Sequence, residues 1–210
     1  MRVRKKEEGI EEGDENLENV SLLVLVALLW FSALLLLKKA KLNFFKFLAG
    51  SIGVFTISMF FFLPFLERNL NGLISSVLGF IGNKTGYFEV FKSNSIISVD
   101  TKSGIVSILL NYECSGVIEM LVFTSLALFF PFGGIVRKGA SIILGNLYLY
   151  AANLIRIIFI AFGVKTFGAS AYYIFHTLFA RILFFILTII LYYFTFTSTH
   201  LKYQRVGEID

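Results

Sequence analysis

Apolar residues in this chain come in long runs rather than in the alternating or three-and-four spacing of a soluble domain. The runs predict five membrane spans: Val20 to Leu37, Phe44 to Phe65, Cys114 to Phe130, Gly139 to Phe162 and Ser170 to Phe196. At about 1.5 Å per residue, such runs match a hydrocarbon layer about 30 Å thick. Pro64 marks the expected end of the second span, and Pro131 follows the third.

One long connection, Leu66 to Glu113, separates the second and third spans. Its first part places Leu70, Leu73, Ile74, Val77 and Ile81 on one helical face, which predicts an amphipathic helix at the membrane surface. Its second part is β-rich on both sides of the turn signal Asp100 to Gly104, which predicts a hairpin. The expected fold class is all-α: a polytopic bundle of about five transmembrane helices, with the amphipathic helix and hairpin outside the cytoplasm. It forms one integral-membrane domain over 1–210, with a polar tail (1–19), two spans (20–65), an outer loop (66–113), a three-span core (114–196) and a cytoplasmic tail (197–210).

Composition supports this class. Of 210 residues, 57% are hydrophobic and 16% charged, against about 25% charged in a soluble domain. Mean hydropathy is +0.79. Disordered chains and soluble globular enzymes are excluded. A net charge of +5 would suggest nucleic acid in a soluble protein. Here Lys and Arg fall between the apolar runs, so they mark topology and headgroup contact, and no nucleic-acid partner is expected.

Lys38, Lys39, Lys41 and Lys46 crowd the first short loop, Arg137 and Lys138 the third, and Lys202 and Arg205 follow the last span. Alternating spans place these segments in the cytoplasm and the long loop outside. The N-terminal tail also faces outward, and its seven acids outnumber its four bases. The tail is basic and then acidic, and Lys38-Lys39 closes the first run without a small-residue cleavage site. It therefore reads as a retained span rather than a signal peptide.

The scarce polar residues inside the spans carry the candidate chemistry, since an ionisable group costs at least about 2.5 kcal/mol there. Cys114 opens the third span, flanked by Glu113 and Ser115, with Glu119 about one turn deeper. The fourth span carries Asn146, Asn153 and Arg156, and the fifth His176 and Arg181. Arg156 lies about 10 Å below the outer end of its span and His176 about 9 Å below its own. Three spans thus bring a thiol, a guanidinium and an imidazole to similar depth. Asn146, Asn153 and Arg156 fall within an arc of about 80°, one polar stripe. Glu119 and Arg181, each five residues inward of Cys114 and His176, are expected to form a buried ion pair.

Cys114 is the only cysteine, so it forms no intramolecular disulfide. A thiolate is a strong nucleophile, and a nearby imidazole or guanidinium favours it. Imidazole can also protonate a leaving amine, and guanidinium can steady an oxyanion. The set suffices for acyl transfer through a thioester.

Glu113-Cys114-Ser115-Gly116, Asn153-Leu154-Ile155-Arg156 and His176, in this order, resemble the exosortase/archaeosortase family of membrane-embedded cysteine transpeptidases and proteases. The resemblance covers Ile96 to Leu191. It implies cleavage of C-terminal sorting signals on exported proteins, each signal being a short motif, a transmembrane helix and a basic tail. Cys114 would be the nucleophile, His176 the general acid/base and Arg156 the stabiliser of thiolate or oxyanion, with Arg181 a second candidate for the role of His176. The acyl group would pass to water, a lipid or another amine. The site would lie on the extracytoplasmic side of the cell membrane.

The competing class is a small transporter or assembly scaffold with structural polar residues. The spans show neither inverted repeats nor midplane breaks, which disfavours a transporter. Neither a metal-ligand constellation nor a Gly-rich phosphate loop is visible, so no metal and no cofactor are expected. An edge strand of the outer hairpin is a candidate for binding an extended sorting motif.

Overall fold

A computed structural model describes residues 27–198 except 93, 102–103, 111 and 133, and the side chains of Tyr112 and Glu113 lie outside the described part. Packing divides the chain into two compact units, one ending at Gly53 and one starting at Val54. In the first, helix α1 (27–39) turns through Lys41, which has a positive φ of 57°, into α2 (Asn43–Thr85). The Trp30 indole N–H donates to the Ala49 carbonyl at 2.9 Å across this turn. The predicted first span falls on α1 only from residue 27. Its earlier residues, the polar tail, His200, Lys202 and Arg205 lie outside the described residues.

Helix α2 corrects two expectations. The second span and the amphipathic helix are one 43-residue helix that runs through Pro64. Proline removes one backbone donor. Asn71-Gly72 is a further turn signal, yet the helix continues through both, as membrane helices often do through proline. The buried stripe of its last third is Asn71, Ile74, Ser75 and Leu78, while Leu73 is 58% exposed. This face packs under a sheet.

The sheet has three antiparallel strands in the order β1 (Glu89–Phe91), β2 (Ile96–Thr101) and β3 (Gly104–Leu109). The expected hairpin is β2 and β3, with Ile97 opposite Ile108 and Val99 opposite Val106. β1 is an addition, placing Val90 opposite Ile97. Ile97, Val99 and Ile108 point into a core shared with Ile74 and Leu78 of α2.

The predicted third span is two helices. The short α3 (Tyr112–Ser115) is followed by Gly116 and then by α4 (Val117–Phe129), whose 13 residues rise only about 20 Å. Helix α5 (Ile135–Phe167) and the final helix α6 (Ala169–Thr197) extend the fourth and fifth predicted spans. α2, α5 and α6 are long and apolar enough to cross a membrane. The C-terminal half of α5 packs on the sheet through Ile157, Ile160 and Val164. Its N-terminal half packs with α4 and α6 through Leu149, Phe123 and Phe184.

Candidate active site

Cys114 sits on α3, where the chain changes from the sheet to the short apolar helix α4. Its side chain is buried, 7% exposed. The turn that holds it depends on Gly116, whose φ of +72° is left-handed. A Cβ at that position would also lie 3.2 Å from Cγ of Asn153. Glycine is therefore required on both backbone and packing grounds. Ser115 is fully buried beside it, and its hydroxyl accepts the Val117 N–H at 3.4 Å.

Two buried asparagines hold the backbone on either side. The Asn153 amide donates to the Cys114 carbonyl at 2.9 Å. The Asn71 amide donates to the Leu110 carbonyl at 3.2 Å. Two further residues of the polar stripe on α5 flank Asn153: Asn146 donates to the Thr124 hydroxyl at 2.8 Å, tying α5 to α4, and Arg156 lies one turn beyond Asn153.

His176 reaches Cys114, with Nε2 3.5 Å from Sγ. It lies in a π-helical turn, Phe175–Phe179, that interrupts α6. Such turns shift the register of the following side chains and are frequent at functional sites. Tyr172 stacks on the imidazole, ring centroids 5.3 Å apart and planes 24° from parallel. Phe175 is seated beside Gly163 of α5, where any Cβ would strike its ring. This contact sets the distance between α5 and the His176 turn.

Cys114, Arg156 and His176 line one cavity of about 620 Å³, whose wall continues along Ile182, Phe185 and Thr188 of α6. Arg156 is buried, 6% exposed, and its guanidinium lies 5.4 Å from the ring centre of Phe184. Glu119 and Arg181 line the same cavity, yet among the described residues no ion pair joins them. Arg181 is exposed and Glu119 half-buried, so the expected buried pair is replaced by two groups facing a common space. The charged lining holds two guanidinium groups and one carboxylate, which favours a developing anion. The side chain of Glu113 lies outside the described residues.

Asn71 and Tyr172 were not singled out by sequence for this site. Asn71 repeats with Ile74, Ser75 and Leu78 at helical spacing, which is the signal of a buried asparagine. Tyr172 stands four residues before His176 and so shares its face.

A family model described as Transmembrane exosortase (Exosortase_EpsH) matches residues 14–194. The chain belongs to the transmembrane exosortase family. No curated protein and no solved structure matches it. The exosortase match spans α1 to α5, the sheet and α6 as far as residue 194, and takes in every residue that lines the Cys114 cavity.

Proposed function

We propose that the chain is a membrane-embedded cysteine protease/transpeptidase that cleaves C-terminal sorting signals of exported proteins. The observation that carries this reading is the 3.5 Å approach of His176 Nε2 to Cys114 Sγ at a cavity that Arg156 also lines. Membership of the exosortase family supports the substrate class.

In the proposed reaction, the Cys114 thiol gives its proton to His176 and the sulfur attacks the scissile carbonyl carbon. The carbonyl electron pair moves to oxygen, and the oxyanion faces the guanidinium of Arg156. The C–N bond then breaks, and His176 returns its proton to the leaving amine. The products are a thioester on Cys114 and a released C-terminal helix with its basic tail. Water or an amine, lipid-borne or other, next gives a proton to His176 and attacks the thioester. The new acyl bond forms, and the sulfur recovers the proton.

The reading places the site on the extracytoplasmic side of the cell membrane, where exported proteins arrive. Asn153 and Ser115 act through the backbone around Cys114, and Glu119 and Arg181 tune the field of the cavity. The test is Cys114→Ala in cells that produce a processed exported protein with a C-terminal helix and basic tail. Processing should stop, and unchanged processing would overturn the proposal. Trapping the acyl chain on Cys114 with a hydroxylamine-labile bond would support it directly.

A further inference from the structure

The strand β3 ends five residues before Cys114, and it is an edge of the sheet. Edge strands are usually blunted by lysine, proline or a bulge. β3 reads Gly104-Ile105-Val106-Ser107-Ile108-Leu109, with neither charge nor proline.

Register determines which backbone groups it offers. The Leu110 N–H donates to the Ser95 carbonyl at 2.8 Å, next to the Ile96–Leu109 pair. Alternate residues of an antiparallel strand face the neighbouring strand. Val106 and Ile108 therefore bond to β2, whereas Ile105, Ser107 and Leu109 turn their N–H and C=O groups to the edge away from β2; the first turn of α6, Ala169–Ala171, also packs against β3. Among the described residues, β3 has no strand beyond β2. The side chains of Ile105 and Leu109 are 71% and 58% exposed, whereas Ile108 is buried.

Direction follows from two contacts. Lys165 near the outer end of α5 donates to the carbonyl of Asp100, which pairs with Ile105. Deeper on α5, Asn153 holds Cys114. From Lys165 to Asn153, α5 spans about 18 Å. From Ile105 to Leu110, an extended chain spans about 17 Å. β3 thus descends along α5 toward the nucleophile.

We infer that the open edge of β3 binds the extended segment of the protein substrate just N-terminal to its scissile bond, as an added strand parallel to β3. This rests on the cysteine transpeptidase reading above. The parallel direction is dictated by the occupant: its exported part lies outside and its C-terminal helix enters the membrane, so it too must run inward past Cys114. A strand held there delivers its carbonyl to Sγ. Because the held part is the acyl part, the edge keeps its grip on the substrate after the helix departs, while the acceptor attacks.

The experiment uses the full chain in membranes. Its probe is an exported reporter joined to the C-terminal motif, helix and basic tail of a protein that the unaltered chain cleaves. Ser107→Pro removes an outward N–H without removing a bond to β2. It should lower kcat/KM by about tenfold, through KM, while iodoacetamide alkylates Cys114 at the unaltered rate. Unchanged KM would overturn the inference.

If alkylation shows that Ser107→Pro disturbs the fold, disulfide crosslinking decides. Ile105→Cys or Leu109→Cys is placed in Cys114→Ala, and a single cysteine is moved along the reporter. Leu109→Cys should link nearest the scissile bond and Ile105→Cys farther toward the reporter's N-terminus. Drift in the opposite direction, links only between two copies of the chain, or no link would each overturn it. Failure of the wider reading is distinct, because there Cys114→Ala alone would still process the reporter.

Discussion

The Asn153 side-chain amide donates to the main-chain carbonyl of Cys114 at 2.9 Å, both residues buried. The bond joins α5 to the turn between the sheet and α4. It makes the position of the thiol depend on a helix that also carries Arg156. A shift of α5 therefore moves thiol and guanidinium together.

Asn153→Ala leaves the buried Cys114 carbonyl without this donor, which costs about 1–3 kcal/mol. The thermal midpoint in detergent should fall accordingly, and alkylation of Cys114 should become faster as its turn loosens. Asn153→Leu, similar in size but lacking the donor, should behave like the alanine variant. A midpoint equal to that of the unaltered protein would remove the clamp from the account.

Gly116→Ala places a Cβ on a left-handed residue and against Asn153. The backbone term alone is roughly 1–2 kcal/mol. Gly134 is the control: its φ of 175° is extended and nothing lies within 4 Å of a Cβ there. Parallel unfolding curves should show Gly116→Ala destabilised and Gly134→Ala unchanged.

His176→Ala removes the group 3.5 Å from Sγ and should slow reporter cleavage by on the order of 10²–10⁴-fold. Stability should change little, because the imidazole is only half-buried. Arg181→Ala in parallel tests whether the exposed guanidinium shares its role. Comparable losses in both variants would assign the acid/base function to the pair rather than to His176.

Tyr172 tests positioning. Tyr172→Phe retains the ring stacked on His176, whereas Tyr172→Leu removes a contact worth about 0.5–1.5 kcal/mol. Cleavage should be nearly normal in the phenylalanine variant and lower in kcat in the leucine variant, with KM unchanged. Equal loss in both would point to the hydroxyl instead.

The convergence of Cys114, Arg156 and His176 was legible because depth in a membrane helix follows from residue count and each group lies within a few turns of a helix end. The hairpin was legible from its turn and its β-branched flanks. The continuity of α2 was not, since Pro64 signals a stop whose cost is only one hydrogen bond. β1 was hidden because three residues acquire strand character only by pairing with β2. Glu119 and Arg181 were matched by depth and charge alone. Their faces on α4 and α6 decide instead that they border a shared cavity. Asn71 was hidden because its partner is a main-chain carbonyl, which leaves no mark in side-chain identity.

The wall of the Cys114 cavity includes Ile182 and Phe185, 48% and 64% exposed on α6. In a bilayer that exposure is to lipid, so two side chains of the cavity wall also face the membrane. On the proposed function, a substrate anchored by its own helix would reach the site by diffusion in two dimensions. The quantity that saturates such a site is the number of substrates per area of membrane. Adding lipid at fixed protein and substrate would slow turnover, whereas adding water to the same vesicles would leave it unchanged.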